Sequence, residues 1–355
     1  MKVPNARKPL SYLALARAAA LSNVRRPKLP YKLTFSLTSR CNLRCRFCRT
    51  WRSVREDELS PEEIREFFRR QPGFNWIDFT GGEISLRPDL EEILADTCRL
   101  PRLALLHFPT NGFLVERIVD VCVFAKARAP GRFIVSVSLD GPPELHDRLR
   151  GREGSWENAV ATYAALRRRG VEVFFGMTLH GENFFLPGAT RAAVESRLGK
   201  LPEGCFHFNL AHESFFYNNR GAEIPLPAGL NDIFADLARP TRSHVNPRRY
   251  LEYRYLSLVP RYLADRRSPL PCLSFSGSCY IGPTGTVYPC SMYDRPLGEL
   301  RETGFDLSAI WDSPAGVSAR EAVAAGACPH CWTPCEAYQT ILGNFLRRPR
   351  IGRRL

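Results

Sequence analysis

Cys41, Cys45 and Cys48 lie on one short stretch, Cys41-Asn42-Leu43-Arg44-Cys45-Arg46-Phe47-Cys48, a C-x3-C-x2-C run just after the apolar residues 33–37. Thiolates this close on one loop favour iron, and a four-iron cube offers four corners, so three ligands leave one iron open to bind a further molecule. A structural zinc loop is the plainer alternative. It usually shows paired C-x2-C knuckles and a fourth Cys or His at a matching distance, and nothing soon after Cys48 supplies that partner. A second group follows near the C-terminus: Cys272, Cys279, Cys290, and then Cys328, Cys331 and Cys335 in a C-x2-C-x3-C run. These thiolates suit a second cluster, with a zinc ribbon as the alternative. Cys98, Cys122 and Cys205 stand alone and are expected to be small buried apolar residues.

The 355 residues are enough for one large domain and a smaller one, and 44% hydrophobic content is ordinary for a globular chain. Clustered thiols without a secretory signal point to a reducing, cytoplasmic setting and to metal ligation. The net charge of +14 is concentrated at the ends. Fourteen Lys or Arg precede the first acid, Glu56, and five arginines follow Glu336, which leaves residues 56–336 at −5. A mildly acidic body with basic ends argues against a broad nucleic-acid-binding face.

With Phe47 ahead of its last cysteine, the first run resembles the signature of the radical S-adenosylmethionine (radical SAM) enzymes. That resemblance implies a SAM-binding 4Fe–4S cluster on Cys41, Cys45 and Cys48. It also implies reductive cleavage of SAM to a 5′-deoxyadenosyl radical, which abstracts hydrogen from an unactivated C–H. A one-electron donor such as flavodoxin or ferredoxin is then required. A noncatalytic iron–sulfur carrier is the alternative of a different class.

These groups need a scaffold. Period-two apolar runs at 32–38, 76–80, 104–109, 133–139, 172–179 and 205–211 predict strands. Helical patterns at 61–70, 89–99, 114–128, 155–169 and 190–198 lie between them, the first with Ser60 as N-cap and Pro61 in its first turn. Strands alternating with helices predict an α/β fold with a parallel sheet, read here as a partial (β/α)6 barrel over residues 32–238. Chemistry in such a barrel sits at the carboxyl ends of the strands.

Those ends are polar. The second strand ends in Gly81-Gly82-Glu83, where glycines permit close approach of backbone to a ligand and the carboxylate can accept from an ammonium. It resembles the family's GGE element, which implies contact with the methionine amino group of SAM. Asn111 follows the third strand as a further cofactor contact, with simple strand termination as the alternative. Ser136, Ser138 and Asp140 share one face of the fourth strand. With His146, Asp147 and Arg150, this block resembles the S-x-D-G to R-G segment of radical SAM maturases. It implies that Ser138 contacts SAM and that Arg150 meets its carboxylate, while Asp140 contacts SAM or faces substrate; His146 and Asp147 read as cap and turn partners. Thr178 is expected near the nucleoside. His212 and Tyr217, in the stretch after the sixth strand, are expected to line the substrate site.

Residues 239–270 read as a linker or helical connection, and 271–345 as a small β-hairpin and helix domain that resembles the SPASM or shorter Twitch extension. That resemblance implies one auxiliary 4Fe–4S cluster. Cys272, Cys290, Cys328 and Cys331 are the preferred ligands, Cys335 is an alternative for one corner, and Cys279 is expected to be inert. Residues 1–31 form a basic amphipathic segment and 346–355 a basic tail. The segment is read as packing on the body, lying on a membrane surface, or serving as a targeting peptide. Its character makes a lipid or membrane-associated small molecule the first expectation for the substrate, at the inner face of a membrane. A peptide or protein side chain is the alternative, weighed against the shortness of the stretch ahead of the barrel, which leaves no room for a leader-binding domain.

Overall fold

The structure, a computed structural model, describes residues 7–221, 230–243 and 246–345. Helix α1 (Arg7–Ser22) precedes six strands: β1 (Lys32–Thr38), β2 (Trp76–Gly81), β3 (Leu105–Thr110), β4 (Arg132–Ser138), β5 (Glu172–Leu179) and β6 (Phe206–Leu210). Between them run α2 (Pro61–Arg70), α3 (Leu90–Thr97), α4 (Val115–Arg128), α5 (Pro143–Arg150), α6 (Ser155–Arg168) and α7 (Pro187–Leu198). Each strand pairs in parallel with its sequence neighbour, and among the described residues β6 does not pair with β1, so the barrel is open.

Alternation within the strands decides which face meets the helices. Leu33, Phe35, Ile77, Phe79, Val135 and Phe175 are buried on the outer face. Phe35 meets Phe67 and Phe68 of α2 edge-on, with ring centroids 5.9 and 6.3 Å apart. Helix α2 begins there because Ser60 and Glu63 form a capping box ahead of Pro61. Its buried face is Ile64, Phe67 and Phe68, each contributing about 1.5–3 kcal/mol of transfer free energy. The inner face is polar: Lys32, Asp78, His107, Arg132, Ser136, Ser138, Glu172, Thr178, His207 and Asn209 alternate with the outer residues.

After β6 come α8 (Leu230–Ala238) and α9 (Pro247–Asp265). The stretch expected as a linker or helical connection is mostly helix, and α9 belongs to the core. The buried Tyr255 accepts the Leu210 N–H on its phenol oxygen at 3.2 Å, and its carbonyl accepts from Trp332 Nε1 at 2.9 Å.

The C-terminal part does not stand apart from the barrel. Strand β7 (Ser278–Ile281) pairs in parallel with β1, and β8 (Thr286–Tyr288) and β9 (Gly298–Glu299) follow antiparallel, giving one nine-stranded sheet. The expected hairpin is β7–β8. Helices α10 (Leu307–Trp311), α11 (Pro314–Ala324) and α12 (Pro334–Gly343) complete the fold. Helix α12 crosses the open inner face. Tyr338 stacks on Trp76 with centroids 6.4 Å apart, its hydroxyl meets His207 Nδ1 at 3.0 Å and Glu252, and Lys32 Nζ donates to the Cys335 carbonyl.

Helix α1 lies where the basic segment was expected, and its inner side packs on α12. Ala19 and Ser22 are buried, and Asn23 Nδ2, just past the helix, donates to the Leu342 carbonyl at 3.0 Å. Leu10, Leu13 and Val24 remain exposed. The basic tail 346–355 and residues 1–6 lie outside the described residues. Among the described residues no helix is long and apolar enough to cross a membrane.

Candidate active site

The cysteine loop leaves the end of β1 and is gripped on three sides. At its start, Gly82 N–H donates to the Thr38 carbonyl and Glu83 N–H to the Arg40 carbonyl, both at 2.8 Å. A Cβ on Gly81, whose φ is +139°, would lie 2.3 Å from the Thr38 oxygen, and one on Gly82 would lie 2.1 Å from the Arg40 oxygen. The glycine pair was expected to admit a ligand; in the structure its missing Cβ atoms admit the cysteine loop itself. Along one flank, Arg44 and Arg46 N–H donate to the Arg150 and Leu149 carbonyls at 3.1 and 3.0 Å. On the other, Asn219 Nδ2 donates to the Phe47 carbonyl at 2.9 Å, and Arg49 N–H to the Tyr217 carbonyl at 2.8 Å.

The predicted residues gather here, several with other partners than expected. Glu83 is buried and accepts from Ser85 Oγ, Thr110 Oγ1 and Asn111 N–H at 2.7–2.9 Å. Burial raises its pKa and these donors oppose the rise. Asn111 ties to the loop through Nδ2, which donates to Asn42 Oδ1 at 2.7 Å. Asp140, expected to contact SAM or face substrate, is fully buried and pairs with Arg150 at 2.6 Å. It also accepts the Thr178 N–H at 2.9 Å. Arg150, expected at a carboxylate of SAM, is thereby engaged by Asp140. Its Nη1 reaches Cys45 Sγ at 3.8 Å and its guanidinium lies 5.3 Å from the Phe47 ring centroid. Two buried charges of opposite sign hold each other because neither has water to turn to. Ser138 and Thr178 are half-buried on the inner strand face. His146 Nδ1 accepts the Asp140 N–H at 3.0 Å, and Asp147 caps α6 through Gly154, Ser155 and Trp156.

Two residues expected to line substrate have structural partners. The Tyr217 carbonyl accepts the Arg49 N–H of the loop while its buried phenol meets Asn209 of the inner face between Cys48 and Cys335, and His212 accepts the Trp332 N–H beside Cys331.

The donor set fits an iron–sulfur cluster. Burial pushes the Cys41 thiol up to about 11 and Cys45 up to about 12, and both feel the charge of Cys48. Thiols so disposed ionise when a metal takes the proton's place. Asn42 Nδ2, Arg150 Nε and His180 Nε2 are buried there without partners, donors aimed at a group the protein does not supply. At the other end, Cys272, Cys290, Cys328 and Cys331 line one cavity with Glu336 and His330. Cys335 does not line it: its electrostatic neighbours are Lys32, Asp78 and Glu336, because it sits in the first turn of α12 facing the barrel interior. Cys279 is buried in β7 within the apolar core. Among the described residues no three side chains are already closed into metal-ligand geometry, so the fit is one of donor type, burial and enclosure.

The inner face holds a chain of groups that strand-end reasoning missed. Lys32 Nζ pairs with Asp78 Oδ2 at 3.0 Å; Asp78 Oδ1 meets Trp76 Nε1 at 2.8 Å and His107 Nδ1 at 3.2 Å; His107 Nε2 meets Ser136 Oγ at 3.0 Å. Lys32 and His107 hold Asp78 well below the usual carboxylate range. His107 therefore donates from Nδ1, and its Nε2 accepts the Ser136 hydroxyl. Polar residues at alternate positions in strands covered by helices were the available signal: one face of such strands is apolar, and the other need not be.

Residues 35–184 match the radical SAM superfamily, and residues 272–336 match SPASM, an iron-sulfur cluster-binding domain. The chain is similar to the antilisterial bacteriocin subtilosin biosynthesis protein AlbA of Bacillus subtilis (strain 168), 26% identical over 324 residues. That alignment covers 85% of this chain and 64% of AlbA. It is also similar to the AdoMet-dependent heme synthase of Oleidesulfovibrio alaskensis (strain ATCC BAA-1058 / DSM 17464 / G20), 27% identical over 291 residues, which are 77% of this chain and 72% of that protein. Among solved structures, Streptococcus suis SuiB bound to precursor peptide SuiA shares the fold, with a TM-score of 0.59 at 15% identity over 90% of this chain and 74% of that one.

Proposed function

Because the chain belongs to the radical SAM superfamily and carries a SPASM-type iron–sulfur domain, we propose that it is a maturase acting on a peptide or protein side chain. Its cofactors are SAM and 4Fe–4S clusters. Cys41, Cys45 and Cys48 hold the cluster that meets SAM, and Cys272, Cys290, Cys328 and Cys331 hold a single auxiliary cluster. With SAM bound against it, the first cluster would supply the one-electron chemistry needed to remove a hydrogen atom from an unactivated C–H. The protein orients the reactants and excludes water. Arg150 steadies the thiolate of Cys45, and Glu83 fixes the turn behind the loop.

The observation that carries the peptide reading is the polar inner face. Lys32 pairs there with Asp78, Arg132 with Glu172, and His107 with Asp78 and Ser136; an acyl chain would strip the remaining water from this charged lining, whereas the polar groups of a peptide match it. Helix α1, whose basic amphipathic sequence motivated the lipid reading, packs on α12 instead. The likeness to AlbA, whose name places it in bacteriocin biosynthesis, points the same way. A second reading, a tetrapyrrole substrate, is favoured by the likeness to the heme synthase.

The test uses anaerobically reconstituted protein, dithionite and SAM. 5′-Deoxyadenosine is measured alone and with short peptides encoded beside the gene, with iron-coproporphyrin, and with anionic phospholipid vesicles. Stimulation by a peptide that also changes mass is the expected result. Stimulation by vesicles or porphyrin alone would defeat the peptide assignment.

A further inference from the structure

We infer that the space beside Gly176, inside the barrel, receives the substrate's backbone, and that Ser136 accepts an amide N–H from it there. The inference rests on the peptide reading and names the residues that select the substrate within it. The inner face of β5 carries Glu172, Phe174, Gly176 and Thr178, so Gly176 is its one position without a side chain. The fold does not demand a glycine at that point. Its backbone is that of an ordinary strand residue, with none of the left-handed φ found at Gly81. A Cβ built on Gly176 would find only the Ser136 Cβ within 4 Å, at 3.7 Å, whereas one on Gly82 would strike backbone. Glycine weakens a strand interior, and one that neither backbone nor packing requires marks close approach by another molecule.

The polarity of this space follows from the groups behind it. Lys32 pairs with Asp78 at 3.0 Å, Asp78 Oδ1 accepts from His107 Nδ1 at 3.2 Å, and His107 Nε2 accepts the Ser136 hydroxyl at 3.0 Å. The Ser136 proton is spent on His107, and among the described residues its oxygen makes no other hydrogen bond. What Ser136 has left is lone pairs, so it can only accept. An amide N–H meets that need with little bulk; an ester or an acyl chain has no proton to give. On the far side His207, the register partner of Gly176 on β6, is fixed through Nδ1 by Glu252 at 2.9 Å and the Tyr338 hydroxyl at 3.0 Å.

The space is reachable and at the right level. The His107 side chain is 27% exposed and that of His207 23%, although α12 crosses the barrel. Gly176 pairs in register with Ser138 and lies one inner position short of Thr178, and both of those are expected at SAM. The opening therefore sits just inward of the residues expected to hold the cofactor, where a substrate must lie for one of its C–H bonds to be taken. Holding the backbone by one N–H fixes which carbon is presented, which makes Ser136 and Gly176 specificity-determining residues.

The test compares the reconstituted full chain with G176A, G176L and S136A. Crystals of each are soaked with N-methylacetamide, a backbone amide in miniature, and with methyl acetate, which has the same shape and no N–H. The amide should seat against Ser136 in wild type and be absent from that space in S136A and G176L, and the ester should be absent in all four. SAM affinity, measured by equilibrium dialysis, should stay within about twofold throughout. With a peptide that stimulates the wild type, G176A should raise KM by about tenfold, and G176L should end peptide-dependent 5′-deoxyadenosine formation. Loss of SAM affinity in the Gly176 variants would overturn the proposal by giving the space to the nucleoside. An ester seated as well as the amide, an amide absent from wild type or still seated in S136A, or peptide turnover indifferent to G176L would each overturn it too. If no peptide stimulates the wild type, the maturase reading fails instead, and the soaked crystals still decide whether Ser136 selects an amide.

Discussion

His212 Nε2 accepts the backbone N–H of Trp332 at 3.2 Å, so a residue just past the last barrel strand holds the loop that carries Cys331. Its other nitrogen donates to the Leu210 carbonyl at 2.7 Å, which fixes the tautomer. Protonation of Nε2 would leave two donors facing each other.

Burial lowers the pKa of His212 from 6.5 to about 4. Between those values the unfolded chain binds a proton that the folded chain refuses. Stability therefore rises with pH across that window and is lost as pH falls through it, by up to about 3 kcal/mol. Urea titrations from pH 5 to 7 should show a steeper acid loss for wild type than for H212Q. Equal slopes would remove His212 as the source.

Gly82→Ala would place a methyl 2.1 Å from the Arg40 oxygen, against backbone that cannot yield without moving Cys41. The variant should reconstitute with about four iron atoms per chain rather than about eight, having kept only the auxiliary cluster. Iron analysis and electron paramagnetic resonance of the reduced protein measure this, and full loading would contradict the packing role.

Cys272, Cys290, Cys328 and Cys331 line one cavity and Cys335 does not. Serine at any of the four should remove about four iron atoms, and C335S should remove none. Loss of iron in C335S would return that thiol to the ligand set.

Lys32 is fully buried and pairs with Asp78 at 3.0 Å. Lys32→Met leaves a buried carboxylate with only Trp76 and His107 as donors, a loss of about 3–5 kcal/mol. In K32M/D78N part of that should return, because the charge is gone as well. A double-mutant cycle in urea gives the coupling, and additive losses would show that the pair is not coupled.

The strands of the barrel, its helices α2, α3, α4, α6 and α7, and the two cysteine groups were legible in the sequence because each rests on short-range information: alternation, caps and spacing. The GGE and S-x-D-G elements were legible as belonging to the cysteine loop, yet not in their contacts. Gly82 touches Arg40, and Arg150 is bound to Asp140, because burial makes the protein's own groups satisfy one another before any ligand arrives. Helix α5 was not predicted, since eight residues with little apolar character give a weak periodic signal. Cys272, Cys290, Cys328 and Cys331, the set preferred from spacing, line one cavity; the joining of β7 to β1 depends on segments more than 200 residues apart, and no local pattern records that distance. The sequence by itself determined the elements and the kind of chemistry. The tertiary structure decided which side chains are paired with each other and which are left over for something else, because only packing sets which buried charges have lost access to water.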